Sequence, residues 1–95
     1  MKYYDWDGEK NAKLKSEREI CFEDIITAMD EGNLLDIINH SNPVKYPNQR
    51  IYVVKINDYV YLVPFVEDEE KYFLKTVYPS RKMTKKYLIE GGKKS

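Results

Sequence analysis

Arg50-Ile51-Tyr52-Val53-Val54-Lys55-Ile56, Asn57-Asp58, Tyr59-Val60-Tyr61-Leu62-Val63-Pro64-Phe65-Val66 is the stretch that decides the fold of this 95-residue chain. Two runs rich in β-branched and aromatic residues, separated by two turn-forming residues, predict a β-hairpin. In the second run Tyr59, Tyr61, Val63 and Phe65 point one way and Val60, Leu62 and Val66 the other. Both sets are apolar or aromatic, so this strand is expected to be covered on both faces. Pro64 has no N–H for a ladder, which predicts a bulge or a locally unpaired position there.

Toward the N-terminus, Leu34 to Ile38 reads as a strand, and Gly32 before it as the residue that ends a helix. That helix begins after Cys21, which stands at the N-cap with Asp24 three residues later, and Phe22, Ile25, Ile26 and Met29 follow the spacing of a buried helical face. An earlier helix over 9–18 carries only Ala12 and Leu14 as apolar residues and should lie on the surface, its start capped by the Asp7-Gly8 turn. Tyr3 to Trp6 is long enough only for an edge strand. Between 39 and 49 runs a loop containing Pro43 and Pro47 that is long for so small a domain.

Toward the C-terminus, Glu67 to Glu70 predicts a second turn and Lys71 to Val77 another strand, leading into a helix over Tyr78 to Leu88. On that helix Arg81, Lys82, Lys85 and Lys86 fall in one arc and Met83, Thr84, Tyr87 and Leu88 in the other, which predicts an apolar face on the sheet and a basic face outward. The expected architecture is therefore a single α+β domain over 1–95. It has a short N-terminal strand, two helices, a four-stranded antiparallel sheet, a basic amphipathic C-terminal helix and a flexible basic tail over 90–95.

Charge is zoned along a chain whose formal total is zero: −5 over 1–40, +3 over 41–57, −5 over 58–70 and +7 over 71–95. The two basic zones are candidates to meet in space and to face a polyanion, although a solvated mixed surface has the same composition. The single cysteine cannot form an internal disulfide, and no leader pattern opens the chain, so a reducing cytoplasm is the expected setting. No apolar run approaches the roughly 18 residues of a membrane helix, so no membrane partner is expected.

The familiar catalytic motifs are missing. One His and one Cys give no zinc-ligand spacing, the four glycines form no phosphate loop, and no Ser-His-acid arrangement is visible, so no metal and no cofactor are expected. What remains is the basic helix, Arg50, the loop residues His40 and Tyr46, and a tyrosine-rich sheet. Cleaving RNA without a metal requires a proton acceptor near the 2′-hydroxyl, fixed cations for the charge that builds on the phosphate, and a donor for the leaving oxygen. Arg81 and Arg50 are candidates for the phosphate, with His40 or Tyr46 as proton-transfer groups. Lys82, Lys85, Lys86, Lys55 and Tyr78 are candidates for the RNA backbone and bases. Arg81 leads because its planar fork binds two oxygens and lies in the first helical turn.

Tyr4-Asp5-Trp6-Asp7-Gly8-Glu9-Lys10-Asn11, followed by Ile20-Cys21-Phe22-Glu23-Asp24-Ile25, resembles the opening of the BrnT-type toxins, and Ser80-Arg81-Lys82-Met83-Thr84-Lys85-Lys86 is similar to that family's basic segment after the last strand. The resemblance runs in order over nearly the whole chain. It implies a RelE-like fold, an endoribonuclease that halts translation by cutting mRNA, with or without the ribosome, and a cognate antitoxin that masks the active face. By position, Arg81 and Lys82 match the family's paired basic residues and Arg50 the arginine that opens the hairpin. A homodimer and a toxin–antitoxin hetero-oligomer both fit this expectation. Glu19, Cys21 and Gln49 depart from the pattern, standing where a glycine, a serine and an acid are usual. A binding module that uses the basic helix on RNA or protein without cutting is the reading from another class.

Overall fold

The computed structural model describes residues 2–40, 42, 44–46 and 48–90. The elements, in order, are β1 (Tyr3–Trp6), α1 (Gly8–Arg18), α2 (Phe22–Asp30), β2 (Leu34–Asn39), β3 (Gln49–Ile56), β4 (Tyr59–Glu67), β5 (Lys71–Leu74), β6 (Tyr78–Pro79) and α3 (Arg81–Thr84). The last passes directly into a wider π-helical stretch over Lys85–Glu90. Beyond Glu90, the tail expected over 90–95 lies outside the described residues, as do Pro43 and Pro47 of the long loop.

The β3–β4 hairpin is the centre of the sheet. Asn57 and Asp58 both take left-handed φ values, 52° and 62°, the geometry of a tight turn that suits the twist of the two strands. The strands pair in register from Ile56–Tyr59 to Gln49–Val66. Even-numbered β3 residues and odd-numbered β4 residues, among them Tyr52, Val54, Val63 and Phe65, pack under α1 and α2 with Phe22, Ile25 and Leu14. The opposite set, Ile51, Val53, Val60 and Leu62, packs under α3 and its extension with Met83, Tyr87 and Leu88. The hairpin is thus a central layer with helices on each face, as its two-sided apolar pattern predicts.

The sheet departs from the expected four antiparallel strands. It has six and is mixed: the order is β1-β5-β4-β3-β2, with β1 parallel to β5, and β6 also pairs with β4. Pro64 explains the split of the strand expected over 71–77. Its carbonyl accepts from Lys75 N at 2.8 Å, so the side of Pro64 that has no N–H faces β5, and the ladder cannot continue there. β5 ends at Leu74, Val77 turns into the core, and pairing with β4 resumes at Tyr78. The helix consequently starts at Arg81 instead of Tyr78, since a residue before proline avoids helical backbone and Ser80 caps the helix by accepting Met83 N at 3.1 Å.

Asn11 ties the two N-terminal helices together. Its Oδ1 accepts Phe22 N at 2.7 Å and its Nδ2 donates to Glu23 Oε1 at 2.8 Å, which satisfies a free N–H at the start of α2. At both open edges of the sheet an aspartate covers an outward-pointing backbone N–H. Asp5 Oδ1 accepts Trp6 N on β1 and Asp36 Oδ1 accepts Ile37 N on β2, each at 2.8 Å. A carboxylate folded over an edge donor discourages pairing with a foreign strand.

Candidate nucleic-acid interface

The C-terminal helix is held by two polar pins within an apolar contact. Thr84 is buried; its Oγ1 accepts Val60 N at 2.9 Å and donates to Ser80 O at 2.7 Å. One turn on, Tyr87 Oη donates to Asp36 Oδ2 at 2.8 Å, tying the helix to β2. With this face fixed, Arg81, Lys82, Lys85 and Lys86 all project outward and are exposed. α2 covers the opposite face of the sheet and presents Glu23, Asp24, Asp30 and Glu31 to solvent, so the most basic zone of the sequence and these four acids face opposite sides.

A second feature is a cleft of about 720 Å³ at the end of the sheet remote from the hairpin turn, lined by residues that include His40, Tyr46, Arg50, Lys2, Glu67 and Glu69. The His40 ring lies against that of Tyr46, with centroids 4.4 Å apart. His40 Nδ1 accepts Asn42 N at 3.0 Å, which places the proton of the neutral ring on Nε2 and makes that nitrogen a donor. Arg50 is bonded to Glu67, and Lys2 bonds the other oxygen of the same carboxylate. Lys2, and after it Arg50, hold the Glu67 carboxyl below its ordinary range. Asp68 is engaged by the backbone N–H groups of Glu70 and Lys71 at 2.8 and 2.9 Å, whereas Glu69 has no polar partner among the described residues.

The structure brings three of the four expected catalytic residues, Arg50, His40 and Tyr46, to one cleft. Arg81 is elsewhere. The backbone just before it bonds Val60, whose β3 partner is Lys55, so it is five residues, about 17 Å, along the strand from Arg50. Arg50 lies over Phe65 on the α1–α2 side of the sheet, while α3 covers the other. The two basic zones therefore do not converge on one phosphate. Lys55 pairs with Asp58 at 4.0 Å at the hairpin turn, and Tyr78 packs into the apolar contact beneath α3. Cys21 heads α2, where burial raises its thiol pKa, a setting for packing and not for a thiolate nucleophile.

Sequence reasoning missed Lys2, Glu67 and Glu69 as site residues, having read 67–70 as a turn within an acidic zone. A usable signal existed for Glu67: with a turn at Asn57-Asp58, Arg50 opposes Phe65, and Glu67 is its diagonal neighbour on the same face.

Asp36 gives this architecture a pH dependence. Tyr87, and after it the Ile37 N–H, lower its carboxyl pKa, and Asn11 does the same for Glu23. A carboxyl depressed in the folded state stabilises above its unfolded pKa, near 4, and that contribution is lost as pH falls through the folded value. Thermal midpoints are expected to be flat from about pH 7 to 5 and to fall below about pH 4, with a shallower fall in Asp36→Asn. An acid limb of equal slope in that variant would show that the Tyr87 pin carries no part of it.

Fold and site together define a small α+β domain with helices on both faces of a mixed sheet, a basic outer helix and a polar end cleft. No protein-family model matches the chain, and no curated protein or solved structure does. No helix among the described residues is long and apolar enough to cross a membrane.

Proposed function

We propose that this chain is the toxin of a type II toxin–antitoxin system, a metal-independent endoribonuclease that stops translation by cutting RNA. The observation that carries the reading is the outward display of Arg81, Lys82, Lys85 and Lys86 on a helix pinned at Thr84 and Tyr87. Fixed cations along one face suit a phosphate backbone, and their affinity falls with salt as counterions are released. In this reading the helix grips the strand and the end cleft supplies the chemistry. Glu69 accepts the 2′-hydroxyl proton as that oxygen attacks phosphorus, Arg50 shifts from Glu67 to the phosphate oxygens, and His40 Nε2–H hydrogen-bonds the departing 5′-oxygen, which takes its proton from water, leaving a 2′,3′-cyclic phosphate. Tyr46 holds the His40 ring through a tilted ring contact, 40° between the planes. The cognate antitoxin is an acidic chain that covers the basic helix.

Controlled expression tests this directly. Wild type is expected to arrest growth with decay of cellular RNA, and Arg81→Ala, which removes an exposed side chain without touching the core, to restore both. Continued arrest in Arg81→Ala would remove the helix from the mechanism. A second reading is favoured by one observation: Arg50 is held by Glu67 on the face away from Arg81, so the described arrangement binds without an assembled phosphate clamp. A non-catalytic RNA- or protein-binding module would leave growth and RNA intact in both strains.

A further inference from the structure

We propose that Lys2, Arg50 and the Tyr4–Tyr72 pair form a second binding site for single-stranded RNA, in which a backbone phosphate replaces the Glu67 carboxylate and the neighbouring base stacks on Tyr4. The inference rests on the RNA reading above and extends its end cleft, with which it shares Arg50; the site is second to the basic helix and lies on the opposite face of the sheet.

Two cations from distant parts of the chain converge on the two oxygens of Glu67: Lys2 precedes the edge strand β1 and Arg50 is the second residue of the central strand β3. That is the geometry of an anion site whose occupant is the protein's own carboxylate. The side chains of Lys2, Arg50 and Glu67 are 30%, 44% and 29% exposed. Ion pairs open to water to this degree hold weakly, so an incoming phosphate, carrying charge and several acceptor oxygens, can take the place of Glu67.

Aromatic rings floor the same spot. The Tyr4 and Tyr72 ring centroids are 5.3 Å apart, the Lys2 ammonium lies 5.4 Å from the Tyr72 centroid, and the Arg50 guanidinium lies 5.3 Å from that of Phe65. Tyr4 is 36% exposed. Cations that track a backbone beside an exposed aromatic platform are the arrangement that binds unpaired bases; in a duplex the base faces are already occupied by stacking.

The probe is a labelled single-stranded RNA of about ten nucleotides with 2′-O-methyl groups, which cannot be cleaved, followed by fluorescence anisotropy against wild type, Glu67→Gln, Tyr4→Leu and Arg81→Ala. Glu67→Gln is expected to bind about tenfold more tightly because its two cations are released. Tyr4→Leu, which keeps an apolar side chain against Tyr52, is expected to bind at least about fivefold more weakly. Thermal midpoints measured alongside confirm that both variants are folded. If Glu67→Gln does not tighten binding while Arg81→Ala weakens it, the second site is overturned and the helix reading stands. Absence of binding by every form overturns both. Equal competition by duplex RNA or by an acidic peptide overturns the stacking of an unpaired base.

Discussion

Phe22→Ala is expected to lower stability by about 3–5 kcal/mol, the usual cost of removing a buried phenylalanine, and the thermal midpoint by more than about 12 °C. Phe22 is fully buried and stacks on Trp6 with centroids 5.6 Å apart, so its ring joins α2 to β1, while its neighbours Leu14 and Ile25 belong to the same core. Truncation leaves a cavity that this packing closes only in part. The backbone bond from Phe22 N to Asn11 is untouched, which isolates the ring as the cause. A domain of this size has about 5–15 kcal/mol in all, so the loss is a large share of the total. Circular dichroism melts would check it against Val44→Ala, which alters a residue 92% exposed and should leave the midpoint unchanged. A shift below about 5 °C for Phe22→Ala would mean that α1 and α2 are not held by this contact.

The second large effect is expected at Thr84. Thr84→Val preserves shape but removes the acceptor for the buried Val60 N–H and the donor to Ser80 O. Leaving one buried donor unpaired costs about 1–3 kcal/mol. Because the bond joins the C-terminal helix to β4, the loss should appear locally first, as faster hydrogen exchange at the Val60 amide. A fall in midpoint of roughly 4–8 °C per kcal/mol should accompany it. Thr84→Ser keeps both bonds and should exchange like wild type. If Val exchanged as slowly as Ser, the hydroxyl would not be what docks the helix. The functional consequence follows from geometry: a loosened helix no longer presents Arg81, Lys82, Lys85 and Lys86 as one array, and RNA affinity should drop with the pin.

These effects fall on contacts of different legibility. The hairpin, the turn at Asn57-Asp58 and the two-sided burial of β4 were legible because alternation and turn chemistry are local. The same holds for the apolar arc of the C-terminal helix, where Met83, Tyr87 and Leu88 pack inward and the four basic residues outward. Pro64 read as a bulge or an unpaired position in β4, but β4 pairs with β3 through Pro64 without a register shift; the break falls instead in the neighbouring strand, and that neighbour is chosen by the fold. The Arg50–Glu67 pair was within reach of register arithmetic. Lys2 was not, because it reaches Glu67 only through the parallel pairing of β1 with β5.

By itself, then, the chain determined most of its strands and helices, the strand expected over 71–77 and the start of the last helix excepted, and which of their residues point to a core or to water, since 2-residue and 3.6-residue periodicities are properties of neighbouring residues. Only the tertiary structure decided that the sheet is mixed, that Arg81 and Arg50 lie on opposite faces, and that Glu67 sits between two cations. The physical reason is that a strand's pattern states which faces must be buried but not which strand or helix buries them. That choice is made by loop connections and by competition among all the apolar surfaces at once.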